Sequence, residues 1–344
     1  MYKGRFVFSQ ILDYLPRYEF DKLVSKYKGD WHAKELTCYN QLLHLLFGQL
    51  TGCDSLRDIC LCLGAHGNLL YHLGFSNTVN PSSLSRANDK RDSRIYEELG
   101  ALLIDDVRPL YSEEEVAKIS IDNVLYALDS TTISTSIKPA SWALGKYSRG
   151  AVKMHTLLAL RGCIPTSVHI TDGKWHDSNE LDHIDPEPLA FYMMDKAYVD
   201  LEALYRFHRA GAYWISRPKD NMRYEVTFIT NNFEISALEI ANLYRHRWDI
   251  EVFFKWTKQN IVVKTFWGYS ENAVKTHLWV AIIAYLLLAK AKAVCDSTYS
   301  ITEVATLIRI SALERIPLRE LVTKPDPSVI PNQSVKEPTL FDNL

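Results

Sequence analysis

The chain has 344 residues, 47% of them hydrophobic and 23% charged, so it can fill a sizeable core and is not a low-complexity polypeptide. A formal net charge of −2 excludes a uniformly basic nucleic-acid-binding protein. Six cysteines without a CxxC pair, and an N-terminus without an apolar signal core, predict reduced thiols and a cytoplasmic location.

Charge is unevenly spread along the chain. Residues 97–119 carry seven acidic and two basic side chains, whereas residues 241–293 carry eight basic and three acidic ones. Local distribution says more about partners than the total does. Positive charge is therefore concentrated in the C-terminal half, around residues 243–259.

The first 110 residues predict a set of helices. The segment TCYNQLLHLLFGQL has apolar residues at helical spacing and stops before Gly52, and DSLRDICLCLG starts with an Asp-Ser cap. In NPSSLSRANDKRD, Asn80 is placed to cap a helix whose first residue is Pro81. A further helix is predicted from about Arg94 to Asp106. Short helices joined by tight turns are similar to a helix-turn-helix arrangement.

Polar side chains on the helix after Asn80 are candidates to contact a DNA groove or backbone. They are Ser82, Ser83, Arg86, Asn88, Lys90 and Arg91. A solvated polar helix face explains each of them equally well.

Near residue 120 the pattern changes to β-branched segments. Strands are predicted in ISIDNVLYALDSTTI, AVKMHTLLAL, TSVHI, LAFYMMD and AYWISR, with a helix in VDLEALYRFHRAG. A strand and a long helix follow in TFITNNFEISALEIANLYRHRWDIEVFFKWTKQ. This order predicts an α/β or α+β layout around one central sheet.

Two segments near the C-terminus have an ordinary structural interpretation. The apolar run from Leu278 is shorter than the ~20 residues of a transmembrane helix, which predicts a buried core helix and no membrane contact. Residues 323–344 are polar and proline-rich, which predicts a disordered tail.

Carboxylates at strand ends are the first sign of chemistry. Asp129 closes VLYALD and Asp195 closes LAFYMMD, and ligands of open α/β sheets bind where strands end. A single such Asp is more often a cap. Together with Glu251 on the long helix, however, two of them offer the oxygen ligands that Mg²⁺ prefers.

The segment LYRHRWDIEVFFKWTKQ, residues 243–259, is predicted to be one helix. At 100° per residue, Tyr244, Arg247, Glu251 and Lys258 fall in a stripe about 60° wide. A carboxylate flanked by two cations and a phenol suits a phosphodiester. A surface salt-bridge stripe fits less well, because aromatic residues cover the other sides.

These four residues reproduce the Y-(2)-R-(3)-E-(6)-K signature, and the chain thereby resembles the insertion-sequence-4-type DDE transposases. The likeness extends to LDSTTI around Asp129 and to MMDKAYVDLEALYRFHRAGAYWISR around Asp195, and covers roughly residues 120–290. It implies a helical DNA-binding domain at 1–115, a ribonuclease-H-like catalytic domain at 116–322 and a tail at 323–344.

The resemblance also implies a mechanism and its residues. Asp129, Asp195 and Glu251 would be the catalytic residues and would hold two Mg²⁺ or Mn²⁺ ions. Double-stranded DNA, as terminal inverted repeats and target, would be bound by a homodimer on paired ends. Phosphates beside the cut would meet Tyr244, Arg247 and Lys258, with Lys153 and His155 as weaker candidates, and Arg86 and Lys90 would contact DNA from the helical domain.

The chain departs from the family's sequence pattern at two places. Lys196 stands where the family has Arg after the second Asp, and only 55 residues separate Asp195 from Glu251. The 19 residues from Pro218 to Ser236 are too few for the family's β-rich insertion, which is therefore expected to be missing.

The missing insertion raises a rival hypothesis, a decayed or repurposed copy that binds element ends without full catalysis. A plain ribonuclease-H-like nuclease is a third hypothesis, which the four-residue signature disfavours. Members of the family that excise through a hairpin stack a flipped base on an aromatic side chain of the insertion. Here Tyr224 alone would be available, since Phe228 and Phe233 are predicted to belong to a core strand or its end.

Overall fold

A computed structural model describes residues 4–112, 121–134, 142–143, 150–220, 227–262 and 266–325 of the chain. Before the first strand, the described residues form seven α-helices. These are α1 Val7–Ile11, α2 Arg17–Lys26, α3 Cys38–Thr51, α4 Leu56–Ala65, α5 Leu70–Leu73, α6 Pro81–Lys90 and α7 Arg94–Val107. The predicted helical N-terminal region is thus confirmed.

The predicted helix boundaries match because local capping chemistry sets them. The Thr37 side chain accepts a hydrogen bond from the backbone of Asn40 at the start of α3, and Gly52 ends that helix at a φ of 76°, where glycine is favoured. Asn80 caps α6, whose first residue is Pro81. Such signals act within one turn, so a sequence reveals them directly.

One mixed six-stranded sheet forms the second half of the fold. Its strands are β1 Leu125–Ser134, β2 Ala151–Ala159, β3 Ile164–Asp172, β4 Phe191–Met194, β5 Tyr213–Ser216 and β6 Ile229–Thr230. They lie in the order β3-β2-β1-β4-β5-β6. β1, β2 and β3 are antiparallel neighbours, β4 and β5 run parallel to β1, and β6 is antiparallel to β5. The predicted α/β class is confirmed.

The helix α8 Leu201–Arg209 connects the parallel strands β4 and β5. The prediction of one helix over residues 243–259 is wrong, because the segment forms α9 Ala237–Arg245 and α10 Trp248–Asn260. At the junction, the amides of His246, Arg247 and Asp249 bond to carbonyls three residues back. This tighter pattern separates the two helices without a Gly or Pro.

The helix α11 Glu271–Val294 lies in the core and packs against α3, α6 and α7 of the N-terminal region. Within the described ranges it is the one helix long and apolar enough to cross a bilayer, but 78% of its most apolar stretch is buried in the protein. The helix α11 is therefore a buried core helix, as predicted. The helices α12 Ile301–Ser311 and α13 Leu318–Val322 complete the fold, and the tail beyond residue 325 lies outside the described residues.

Side chains from both faces of the sheet are buried. One apolar cluster runs from Phe6 to Val322 and joins the N-terminal helices, α11 and one face of β1. A smaller cluster covers the other face, under α8. Phe233 belongs to neither cluster: it is 90% exposed and lies beyond β6, so the prediction that it belongs to a core strand or its end is wrong.

Candidate active site

Alternation along β1 assigns its side chains to two different faces of the sheet. Ala127 and Ile133 lie in the cluster on the α11 side, whereas Tyr126 and Leu128 lie in the cluster under α8. Successive residues of a strand point to opposite faces. Asp129 therefore shares its face with the core beneath α11, and Ser130 points the other way.

Asp129 and Asp195 lie beside each other on neighbouring strands. In the parallel ladder of β1 and β4, Leu128 pairs with Met194. Asp129 and Asp195 are the residues that come directly after this pair. The prediction that Asp129 ends its strand is wrong, because β1 continues to Ser134 in its ladder with β2. Asp195 does follow the end of β4, as predicted.

Arg247, at the junction of α9 and α10, bridges two of the three predicted carboxylates. Its guanidinium donates to Oδ2 of Asp129 at 2.9 Å and to Oε1 of Glu251 at 2.8 Å. The Arg247 side chain is only 14% exposed, which strengthens both ion pairs relative to surface ones. Arg247 thus fastens α10 to the central strand.

Burial raises the pKa of Asp129 to about 6, from an ordinary value of 3.8. The Ser130 amide, which donates at 2.7 Å, and Arg247 oppose this shift, while the charges of Asp195 and Glu251 add to it. Three carboxylates therefore lie close together in a half-buried site and repel one another. A bound cation would reduce this repulsion.

Lys258 contributes a second cation to the same cleft. Its Nζ donates to Oγ1 of Thr131 at 2.5 Å and to the Thr132 carbonyl at 3.3 Å. The cleft has a volume of about 500 Å³. It is lined by Asp129, Ser130, Thr131, Glu251, Phe254, Lys255, Lys258 and Gln259. Acidic and basic groups therefore face one open space.

Arg217 is a residue that the sequence did not single out. It follows Ser216 of β5, which pairs with Met194, so Arg217 leaves the sheet beside Asp195. Its guanidinium carbon lies 5.5 Å from the ring centroid of Tyr244. Among the described residues its side chain has no hydrogen-bonded or ion-paired partner, and Arg217 is exposed. Only the register of β4 and β5 reveals this placement.

Tyr244 is buried, with 5% of its surface exposed, and burial raises its pKa. Its hydroxyl has no hydrogen-bond partner within the described part of the chain, although the Arg247 guanidinium carbon lies 5.9 Å from its ring centroid. Phe228 packs on its ring at 4.8 Å. The phenol is therefore an unsatisfied polar group on the side of the site that Arg217 occupies.

The donor set suits a hard divalent cation in its chemistry, because Asp129, Asp195 and Glu251 offer carboxylate oxygens. In the described ranges, however, no three His, Cys, Asp or Glu side chains are arranged to hold a metal ion. Arg247 lies between Asp129 and Glu251 and takes one oxygen of each. Metal ligation by these two oxygens requires Arg247 to release them, whereas Oδ1 of Asp129 and Oε2 of Glu251 are not held by Arg247.

Lys153 and His155 lie on the opposite face of the sheet from Arg247, because they pair with Thr132 and Ser130. Lys153 donates to the Trp175 carbonyl at 2.9 Å and to Asp177 at 3.2 Å. His155 is fully buried, and burial lowers its pKa to about 4. The structure does not bring either residue to the cleft.

Asp177 is the centre of this second network, and no sequence pattern singled it out. Its Oδ1 accepts from the Ser130 hydroxyl at 2.7 Å and lies 3.6 Å from Nδ1 of His155. Ser130 is the neighbour of Asp129, so the network holds β1 from the face behind the cleft.

The predicted DNA contacts on α6 separate into two groups. Arg86 and Lys90 are exposed. Asn88 is 1% exposed and accepts from Gln41, and Arg91 donates to the Gly29 carbonyl and to Gln41, so both serve the fold. The prediction that Asn88 and Arg91 contact DNA is therefore wrong, because both bond within the fold and the inner side of α6 packs on α11.

Family models match two parts of the chain. Residues 122–287 match the transposase DDE domain, and residues 3–76 match a domain of unknown function, DUF4372. The first match covers the sheet, α8 to α10 and most of α11. The segment that matches the transposase DDE domain contains the whole cleft.

Three curated relatives are named as transposases. One, for insertion sequence element IS5377 of Geobacillus stearothermophilus, is 28% identical over 48% of this chain and 55% of its own length. Another, y4zB of Sinorhizobium fredii, is 26% identical over 68% of this chain and 80% of its own. A third, for element IS4SA of Synechocystis, is 26% identical over 61% and 71%. The chain thus spans about half the length of the first relative.

Among solved structures, the cryo-EM structure of the piggyBac transposase synaptic complex with hairpin DNA aligns with 92% of this chain and 84% of its own. The TM-score is 0.43 and the sequence identity 7%.

Proposed function

We propose that this protein is a DNA transposase that cuts and joins the ends of an insertion sequence at the cleft between β1 and α10. The observation that carries the proposal is the convergence of Asp129, Glu251, Arg247 and Lys258 in one cleft. This cleft lies within the segment that matches the transposase DDE domain. Related proteins named as transposases support the same class of reaction.

The proposed catalytic core is ribonuclease-H-like, of the insertion-sequence-4 type. The strand order supports it: three antiparallel strands are followed by two strands parallel to the first. The 19 residues from Pro218 to Ser236 support a shortened core without a β-rich insertion. Residues 221–226 of this segment lie outside the described residues.

DDE transposase domains generally use divalent metal ions. In this chain Asp129, Asp195 and Glu251 would hold two Mg²⁺ or Mn²⁺ ions, which supply charge stabilisation and an activated nucleophile at a phosphodiester. Arg247 exchanges its carboxylates for a DNA phosphate, while Lys258 holds a neighbouring phosphate. Tyr244 and Arg217 bound the side of the cleft next to Asp195. Ser130 and Asp177 keep β1 fixed behind it.

The proposed substrates are the terminal inverted repeats of the element and its target duplex, bound by a homodimer on paired ends. The helical region, residues 1–115, would contact DNA outside the catalytic domain, residues 116–322. Arg86 and Lys90, which are exposed on α6, are proposed as contacts there.

One alternative is retained, a copy that binds element ends without turning over. It is favoured by the 19 residues from Pro218 to Ser236, which are too few for the family's β-rich insertion.

The test uses the genomic DNA that flanks the gene as substrate, with Mg²⁺ or with EDTA, and an unrelated duplex as the control. A transposase nicks the element end only with the metal and leaves the unrelated duplex intact. Binding without nicking supports the inactive copy, and equal nicking of both duplexes supports a plain nuclease.

A further inference from the structure

A basic groove on the helical region lies between the α2–α3 loop and α6, and has a volume of about 570 Å³. Five exposed side chains line it: Lys28, Trp31 and His32 from the loop, and Arg86 and Lys90 from α6. We call it the Trp31 groove. Four of the five are cations or can become one, and the fifth is an aromatic ring that is 72% exposed.

The acidic residues around the Trp31 groove are already engaged. Asp30 accepts from the Cys38 amide at 2.6 Å and lies 3.5 Å from Arg91. Asp92 is bound by the Arg94 guanidinium at 3.0 Å. Lys28 and Lys90, by contrast, have no ion-paired or hydrogen-bonded side-chain partner in the described part of the chain. The groove therefore presents uncompensated positive charge.

The loop backbone is held in an unusual conformation that keeps Trp31 exposed. Lys28 and His32 have φ angles of 51° and 61°, in the left-handed region that favours glycine. Such residues persist where the surroundings hold them, and they concentrate at functional sites. Arg91 supplies the support here, since it donates to the carbonyls of Gly29 and Leu36 on either side of the loop.

We propose that the Trp31 groove binds the phosphodiester backbone of double-stranded DNA, with Lys28, Arg86 and Lys90 on phosphates and Trp31 against a sugar or base. This inference rests on the proposed function and deepens it, because it names the groove, with Lys28 and Trp31, through which the helical region would contact DNA. Uncompensated cations in a groove suit a polyanion, and an aromatic face beside them suits a nucleotide. A smaller anion would leave most of the cations unused.

The experiment measures binding of the full chain to a mixed-sequence 40-base-pair duplex by fluorescence anisotropy over a range of salt concentrations. Lys28→Gln and Lys90→Gln should each reduce the slope of log affinity against log salt by about one. Lys22→Gln is the matched control, because Lys22 is exposed on α2 but pairs with Glu19 at 3.0 Å. Its slope should equal that of the unmodified chain.

Trp31→Ala tests the aromatic contact separately from charge. It should weaken binding roughly fivefold or more without changing the salt slope. Tyr71→Ala is the control, because Tyr71 is 87% exposed on α5 and packs edge-on against His72, just as Trp31 packs against His32. Thermal unfolding of each variant checks that the fold is retained.

The groove assignment is overturned if Lys28→Gln and Lys90→Gln behave like Lys22→Gln, or if the unmodified chain binds no duplex. Cleavage reports on the proposed function independently. A chain that cleaves element ends while all groove variants bind normally keeps the function and loses the groove. A chain that never cleaves but shows the predicted slopes keeps the groove as a DNA site.

Discussion

Arg247 donates a hydrogen bond to Asp129 at 2.9 Å, although the two residues are 118 positions apart in the chain. The same guanidinium holds Glu251 at 2.8 Å, so one cation occupies the space between two carboxylates. Arg247 thereby offsets part of their negative charge. A DNA phosphate is the ligand that we expect to replace the two carboxylates, because two of its oxygens fit the fork of one guanidinium.

Arg247 should therefore compete with divalent cations in the absence of DNA. Arg247→Gln is expected to tighten binding of Mn²⁺, followed by electron paramagnetic resonance, because it frees both carboxylates. Lys258→Gln removes the same charge from the same cleft but leaves both carboxylates bound to Arg247. Equal tightening in the two variants would show that only net charge matters and that Arg247 does not compete for the ligands.

Asp129 should reduce the stability of the metal-free protein. The pKa of Asp129 in the folded state, about 6, is above the ordinary 3.8, so folding favours the protonated carboxyl. Its stabilising contribution is therefore fully present below about pH 4 and is lost as pH rises through 6. Asp129→Asn should raise the free energy of unfolding by about 1–3 kcal/mol at pH 7.5 in EDTA, measured with urea, and by little at pH 4. A gain that is the same at both pH values would contradict this origin.

Arg217 should contact a DNA phosphate on the side of the cleft next to Asp195. Arg217→Gln is expected to lower the slope of log affinity against log salt by about one on element-end DNA. Arg245→Gln serves as the control, since Arg245 is exposed at the end of α9 and has no ion pair among the described residues. If both variants keep the original slope, Arg217 does not contact DNA.

Cleavage should stop at nicked ends without efficient hairpin formation. A flipped base costs a few kcal/mol, which stacking on an aromatic side chain must offset. Phe228 is engaged with Tyr244, and Tyr224 lies outside the described residues. The exposed Phe233 lies three residues after the end of the two-residue strand β6. A denaturing gel of end-labelled duplex should show nicks alone, and abundant hairpins that disappear in Phe233→Ala would contradict the prediction.

The sequence predicted the features that local chemistry sets. The Asn80 cap, the end of α3 before Gly52 and the β-branched segment that forms β1 follow from neighbouring residues. The contact of Arg247 with Asp129 depends on how α10 lies on the sheet, which no local pattern encodes. The face of Lys153 and His155 depends on strand register: a shift of one residue would have pointed them into the cleft.

The division of LYRHRWDIEVFFKWTKQ into α9 and α10 could not be predicted for a related reason. No Gly or Pro marks residues 246 and 247, and the bonds that tighten the backbone there are compatible with any sequence. The stripe of Tyr244, Arg247, Glu251 and Lys258 was therefore inferred from a helix that is not continuous. The four side chains still lie close to a single surface, because His246 and Arg247 at the junction keep nearly helical φ and ψ angles.

The most direct test of the central claim compares Glu251→Gln with Asp249→Asn in Mg²⁺-dependent nicking of element-end DNA. Both substitutions remove one carboxylate from the first turn of α10, but Glu251 lines the cleft and Asp249 pairs with His246 at 3.1 Å. Glu251→Gln is expected to abolish nicking while DNA binding persists, and Asp249→Asn is expected to nick at close to the unmodified rate. Normal nicking by Glu251→Gln would contradict a catalytic site in this cleft.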